Sequence, residues 1–279
     1  MKSPFLSVVI PTLNEEDYLP RLLSDLGKQK SKNFEVIVVD ASSKDKTKDV
    51  ALRFSSQFPS MFFTTERRNV SYSRNYGASY AQGNYLVFLD ADARINSGFT
   101  KNLESVIHKK KGLLFIPYLL PEENSSQAKI LFEFVNFFIG LSNNTGRPFS
   151  SSGSMICEKY FFSLIGRFNE QLFIAEDHDL IYKALQWGVR AKILPSVKIK
   201  FSLRRMKKDG KLNMIYKYFL VSAHLIFRGN VKKKMFAYEM GGQRYKEIAV
   251  PKVVKNRTFD EFFRQFKQLF LKILHEERI

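Results

Sequence analysis

The sequence predicts an α/β fold in which helices flank a central, mostly parallel sheet, with a basic helical extension behind it. Two observations predict the sheet. Strand-like and helix-like segments alternate from the amino terminus, the order that parallel strands with crossover helices require. The apolar run Tyr85–Leu89 then ends abruptly in Asp90-Ala91-Asp92. Such a run suits a strand covered on both faces, and sheets of this kind bind ligands beyond the carboxyl ends of their strands. The extension is read from charge: of +18 overall, the residues from Lys198 onward hold 21 Lys and Arg against 7 Asp and Glu.

Leu6–Ile10 reads as the first strand. Tyr18, Leu19, Leu22, Leu23 and Leu26 share one face of the helix that follows, at amphipathic spacing. Phe34–Val39 is the second strand and Asp45–Phe54 the second helix; Met61–Thr64, Ser71–Ala81 and Tyr85–Leu89 complete a first half. From Leu113 to Val197 come shorter apolar runs, Leu113–Ile116 and Met155–Cys157, with helices at Gln127–Leu141 and Asp177–Trp187. Beyond Lys198 lie an Arg- and Lys-rich connector, an apolar helix near Leu212–Phe227 and a final helix, Phe259–Leu274. The expected organisation is a domain over residues 1–205, with halves at 1–112 and 113–205, and an extension over 206–279.

At 279 residues and 44% hydrophobic, the chain carries enough apolar surface for a sizeable core. The single cysteine, Cys157, excludes an internal disulfide framework and reads as a small core residue in a reducing compartment. The opening apolar run is followed at once by Pro11, Glu15, Glu16 and Asp17, which marks a strand rather than a secretory signal. Ile130–Leu141 and Met214–Phe227 fall short of the roughly 20 apolar residues of a bilayer span. The expected location is the cytoplasm or the cytoplasmic face of a membrane.

Neither Gly-x-Gly-x-x-Gly nor Gly-x-x-x-x-Gly-Lys-Ser/Thr occurs, which disfavours dinucleotide dehydrogenases and P-loop enzymes. In an extended backbone Asp90 and Asp92 project to the same side. Carboxylates that close stay ionised when a cation, donor groups or water compensates them, and Mg2+ or Mn2+ carrying a phosphorylated substrate is such a cation. A solvated turn is the plainer alternative. Pro11-Thr12-Leu13-Asn14-Glu15 and Asp40-Ala41-Ser42-Ser43-Lys44-Asp45 end the first two strands, and Asp40 can accept from a base N–H or a ribose hydroxyl. Ser43 and Asp45 read as helix caps. Glu176-Asp177-His178-Asp179 stands at a helix entrance, either as a capping cluster or as a site. Arg204 and Arg205 are shaped to neutralise a diphosphate, or form a solvated basic turn.

Four stretches in order, Ser7–Glu16 (Ser-Val-Val-Ile-Pro-Thr-Leu-Asn-Glu-Glu), Val38–Thr47 (Val-Val-Asp-Ala-Ser-Ser-Lys-Asp-Lys-Thr), Ser73–Ala78 (Ser-Arg-Asn-Tyr-Gly-Ala) and Phe88–Asp92, resemble the signatures of family-2 glycosyltransferases of the Rossmann-like GT-A fold. The resemblance covers residues 5 to about 205. It implies a UDP- or GDP-linked sugar across the strand tips, with Pro11, Thr12, Glu15 and Asp40 near the nucleoside and Arg74 lining the donor pocket. Asp90 would contact ribose or sugar, and Asp92 a divalent metal. Glu176-Asp177 matches the family's Glu-Asp signature, in which the Asp takes the acceptor's proton and Glu176 steadies acceptor or base. Arg204 and Arg205 match a leaving-group clamp. Ser152-Gly153-Ser154 and Gly166–Glu170 resemble the acceptor-side loop, with Gly153 letting backbone approach the sugar. The chain departs from the family in having Ala41 after Asp40, and Lys200 and Phe201 where some members carry a metal-binding His.

In Phe259–Leu274, Phe262, Phe263, Phe266 and Phe270 form an amphipathic stripe with Arg264, Lys267 and Lys272 interleaved. It serves either core packing or anchoring on anionic lipid, aided by Lys232–Lys234. The expectation is therefore an inverting glycosyltransferase with a glycan or lipid acceptor. A catalytically silent sugar-nucleotide-binding module and a basic nucleic-acid-binding protein are the alternatives; no nucleic-acid module is recognisable, so no nucleic-acid partner is expected.

Overall fold

The computed structural model describes residues 3–143, 146, 148, 150, 154–172 and 175–202, all in one compact unit of the chain. The strands are β1 (Leu6–Thr12), β2 (Phe34–Asp40), β3 (Ser60–Thr64), β4 (Tyr85–Phe88), β5 (Arg94–Ile95), β6 (Leu114–Pro121), β7 (Met155–Glu158) and β8 (Lys192–Phe201). The helices are α1 (Leu19–Gly27), α2 (Thr47–Arg53), α3 (Val70–Tyr80), α4 (Phe99–Lys110), α5 (Ser126–Ser142), α6 (Lys159–Leu164) and α7 (Glu176–Gln186). All eight strands join one sheet in the order β3-β2-β1-β4-β7-β6-β8-β5. Its amino-terminal half is parallel, β7 runs antiparallel to β4 and β6, and β5 antiparallel to β8. The helices named for 212–227 and 259–274, and the extension from 206, lie outside the described residues.

Alternation along the central strands explains the two layers of core. Val8, Ile10, Val36 and Val38 face Leu19, Leu22, Leu23 and Leu26 of α1, while Val9, Ile37 and Val39 on the other face pack with Ala78 of α3. Because both faces are covered, β2 is buried along its whole length. Cys157 is buried in the second core, as a small apolar residue would be. Its burial pushes the thiol's pKa well above the ordinary range.

Four elements are additional to those given a range from the sequence: β5, α4, α6 and β8. α4 carries a readable signal, since Phe99, Leu103 and Ile107 form its buried stripe at i, i+4, i+8. One expectation is corrected. β4 ends at Phe88 and the chain turns, with the Ala93 N–H donating to the Asp90 carbonyl (3.0 Å), so Asp90 and Asp92 sit on a turn rather than on one side of an extended strand. Among the described residues no helix is long and apolar enough to cross a membrane.

Gly77 sets how closely α3 lies on the sheet. A Cβ there would stand 2.6 Å from Val9 Cγ1 and 3.1 Å from Val39 Cγ2. Gly77→Ala gains up to about 1 kcal/mol of helix propensity, but overpacking a filled core costs about 1–3 kcal/mol. The net effect is destabilising. Denaturant midpoints should fall for Gly77→Ala and fall further for Gly77→Val; unchanged midpoints would show that α3 is not held by this contact.

Candidate active site

The candidate residues collect at the carboxyl ends of the strands. The order β3-β2-β1-β4 places the topological switch between β1 and β4, where a crevice outside the strand tips accepts ligands in open α/β sheets. Thr12 ends β1 and Asp40 ends β2, and the Thr12 hydroxyl donates to Asp40 Oδ1 (2.9 Å). Asp40 also receives the Ser43 hydroxyl (2.5 Å) and backbone N–H (2.8 Å). A carboxylate accepts about four hydrogen bonds, so two of Asp40's positions go to shaping its own loop and one to tying it to β1.

The loops after β1 and β2 are laced into one wall. The Asn14 N–H donates to Ser43 Oγ, Lys44 N–H to Asn14 Oδ1, Glu15 N–H to Thr47 Oγ1 and Glu16 N–H to Asp45 Oδ2. Ser43, expected as a helix cap, serves this lattice instead, because α2 starts only at Thr47; Asp45 does accept from the Thr47 N–H (3.0 Å). Glu15 is buried and Pro11 half-buried within the wall. Asn14 and Ser42 have φ of 56° and 54°. Left-handed backbone in non-glycine residues is uncommon, and it gathers at sites whose surroundings hold it in place.

Arg74 is the node of the site. It leaves α3 with 2% of its surface exposed, donates through Nη2 to Asp90 Oδ1 (2.8 Å) and through Nη1 to Glu176 Oε1 (2.6 Å), and lies 5.4 Å from the centroid of the Phe168 ring. Burial alone would lower its pKa, but Asp90 and Glu176 more than reverse that and hold the guanidinium charged. Glu176 behaves oppositely: burial raises its pKa and Arg74 pulls it back. The turn after β4 and the start of α7 are thus fastened to one cation.

Asp177 follows in the first turn of α7 and is 6% exposed. Burial pushes its carboxyl up to about 6, against the opposing pull of Arg74 and of N–H groups including that of His178 (2.9 Å). His178 Nε2 lies 3.8 Å from Asp177 Oδ1, yet burial holds the imidazole down to about 4, so it is neutral at pH 7 and the contact is not an ion pair. Ala175, immediately before α7, has φ 68°. An alanine there costs on the order of 1 kcal/mol, and the packed helix entrance holds it.

Asn75, next to Arg74, pins the 166–170 loop. Its side chain donates to the Phe168 carbonyl (2.9 Å) and Glu170 Oε1 (3.0 Å) and accepts from the Phe168 N–H (3.1 Å). Arg67 adds an ion pair to Glu170 at 2.7 Å. Asp92 is half-buried on the turn after β4. Among the described residues no group of three or more His, Cys, Asp or Glu could hold a metal alone. Gly153, Arg204 and Arg205 lie outside the described residues.

A family model described as glycosyl transferase family 2 matches residues 7–139, which span both laced loops, Arg74 and the Asp90–Asp92 turn. Over these residues the chain resembles glycosyl transferase family 2. The chain is 23% identical over 84% of its length to glycosyltransferase GlyA of Streptococcus pneumoniae serotype 4, matching 30% of that protein. It is 24% identical over 75% of its length to the minor teichoic acid biosynthesis protein GgaB of Bacillus subtilis, matching 24% of that protein. The chain therefore spans less than a third of either relative. Its fold is shared with S. aureus TarS, solved with UDP-GlcNAc (TM-score 0.58, 22% identity, 71% of this chain and 58% of that one). It is shared also with the Pyrobaculum calidifontis mannosyltransferase PcManGT, solved with GDP-Man and Mn2+ (TM-score 0.61, 18% identity, 82% and 72%). The sequence singled out Arg74, Asp90, Glu176 and Asp177, which the structure brings together. It gave no role to Asn75 or Phe168, although they stand inside the Ser-Arg-Asn-Tyr-Gly-Ala and Gly166–Glu170 stretches.

Removing a buried charge from between its partners costs about 3–5 kcal/mol. Arg74→Gln should therefore lower the unfolding free energy by that order, measured in urea, whereas an exposed charge such as Lys101→Gln changes it by less than about 0.5 kcal/mol. Asp177 gives a second expectation. A folded-state pKa raised from 3.8 to about 6 means its contribution to stability is complete below pH 4 and is lost as pH rises through 6. Asp177→Asn should raise the melting temperature by a few degrees at pH 7 and leave it nearly unchanged at pH 4; equal effects at both values would contradict the assignment.

Proposed function

We propose that the chain transfers a sugar from a nucleotide-sugar donor to a hydroxyl acceptor by single displacement with inversion. The observation that carries this reading is the Arg74 bridge, because it ties Asp90 at the donor-side turn to Glu176, the neighbour of a buried carboxylate tuned toward neutral pH. The acceptor oxygen bonds to the anomeric carbon as the bond from that carbon to the phosphate oxygen breaks. The hydroxyl proton goes to Asp177, and the nucleoside diphosphate leaves. A base with pKa near 6 is ionised at pH 7 yet basic enough to receive a proton, a step that contributes about two to four orders of magnitude. Pro11, Thr12, Glu15 and Asp40 line the nucleoside side. Arg74, buried behind both carboxylates, acts as a positioning residue for Asp90 and Glu176.

Asp92 fits a divalent ion carried by the donor, since Mg2+ typically takes one or two protein carboxylates and completes its shell with phosphate oxygens and water. Bound there, the ion supplies charge neutralisation to the diphosphate. Arg204 and Arg205 are assigned to the same leaving group, and Gly153 to the acceptor side. Relatives named for teichoic acid synthesis, and others named for dolichyl-linked substrates, favour a lipid-linked or cell-envelope glycan acceptor. We assign residues 1–205 to the transferase domain and 206–279 to a basic extension that meets the cytoplasmic face of the membrane.

A panel of UDP- and GDP-sugars, scored for nucleotide release with and without Mn2+, tests the reaction. Asp177→Asn should lower turnover by about 100- to 10,000-fold while donor affinity stays within a few-fold. The wild-type kcat/KM should fall about tenfold per pH unit below 6, since the base must be ionised. Full activity in Asp177→Asn would refute the assignment of the base, and no turnover or binding with any donor would refute the reaction.

A further inference from the structure

The two ends of the described domain differ in charge. Where the strands of the parallel half finish, Glu15, Glu16, Asp17, Asp45, Glu66, Asp90 and Asp92 outnumber Lys44, Lys46, Arg67 and Arg68. The opposite end is formed where β1, β2, β4, β6 and β8 start and β7 finishes, Glu158 of β7 pairing with Tyr85 of β4. There Lys28, Lys30 and Lys32 follow α1, and Lys109, Lys110 and Lys111 lie at the end of α4, all exposed. The connecting segments at this end (28–33, 54–59, 81–84, 108–113, 158–160 and 187–192) contain one carboxylate, Glu158, which is turned back to accept from the N–H groups of Tyr160 and Phe161.

This basic end is built rather than loosely solvated. Lys192 Nζ donates to the carbonyls of Lys110 (2.6 Å) and Lys111 (3.0 Å), and Lys159 Nζ to that of Ala81 (2.9 Å). Large apolar side chains stand exposed beside the cations: Tyr160 at 75%, Trp187 at 57% and Leu113 at 37%. A shallow cavity of about 400 Å³, lined among others by Phe5, Tyr85, His108 and Lys111, opens at the same end.

We propose that this end of the sheet docks on an anionic lipid bilayer. Lysines attract a negatively charged leaflet, while Trp, Tyr and Leu find their favourable depth at the boundary between headgroups and acyl chains. A hydrated polyanion such as a nucleic acid would satisfy the lysines and leave the apolar side chains in water. The surface involves residues of the domain itself, not the extension from 206, and stands whether or not the transfer reading does. Seven residues of β1 span about 23 Å. The strand tips then stand about one strand length above the bilayer, so a lipid-linked acceptor reaches them only with its sugar carried on a spacer of that height.

Trp187 is the chain's one tryptophan, so its emission reports this end and no other. The full chain is mixed with vesicles of phosphatidylcholine containing phosphatidylglycerol, with pure phosphatidylcholine vesicles, and with heparin. Expected are flotation and a blue-shifted emission, quenched by brominated acyl chains, with the anionic vesicles alone. Lys109→Glu/Lys110→Glu/Lys111→Glu, shown folded by circular dichroism, should lower partitioning by at least about a hundredfold, and Tyr160→Ser should weaken binding that persists at high salt. The proposal is overturned if flotation leaves Trp187 emission unchanged, if pure phosphatidylcholine binds equally, if heparin gives the same shift, if the charge-reversed variant partitions like wild type, or if no vesicle binds.

Discussion

One guanidinium, removed almost wholly from water, organises the strand tips. Arg74 reaches Asp90 on the turn after β4 and Glu176 at the start of α7, residues 16 and 102 positions away in the chain. Neither carboxylate could approach the other without it, since two such charges repel at short range. The geometry is costly in desolvation and is retained because a rigid planar fork fixes two partners in one plane more sharply than a flexible ammonium would. The local protonation pattern follows. Burial raises the pKa of both Glu176 and Asp177, Arg74 opposes it at each, and Asp177 is left with a carboxyl near 6.

α3 is the rod on which this depends. Gly77 lets it lie against Val9 and Val39, Arg74 and Asn75 leave it one residue apart, and Asn69 caps it while also donating to the Glu170 carbonyl. One short helix thereby sets the height of the guanidinium above the strand tips and holds the 166–170 loop through backbone groups of Phe168. Phe168 in turn provides the apolar wall beside Arg74. Packing of the sheet and placement of charge are therefore one problem here, solved within a single stretch of eleven residues.

That stretch also shows what the sequence makes legible. Continuous apolar runs revealed β1, β2 and β4, and helical spacing revealed α1, because their residues answer to burial alone. α6 and the two-residue β5 are too short for periodicity to register. At the site, residue type exposed Asp90, Glu176 and Asp177, but not which groups they would face. Asn75 went unnoticed because its role is to hold backbone groups some ninety residues away, and no local pattern encodes a partner at that separation. The extended geometry expected at Asp90 and Asp92 failed for a related reason: the turn is fixed by the Ala93 N–H, and backbone bonds leave little trace in side-chain identity.

The pairing of Tyr85–Phe88 with Met155–Glu158 has a kinetic meaning. It stitches the first half of the chain to the second inside a single sheet, and β6 then continues from β7. Swinging one half against the other would break that ladder, so hinge bending between them is closed as a way of admitting substrate. Whatever gates the crevice must act through the connections above the strands, against a stationary floor. Opening of the crevice then rests on segments of a few residues rather than on movement of one half against the other.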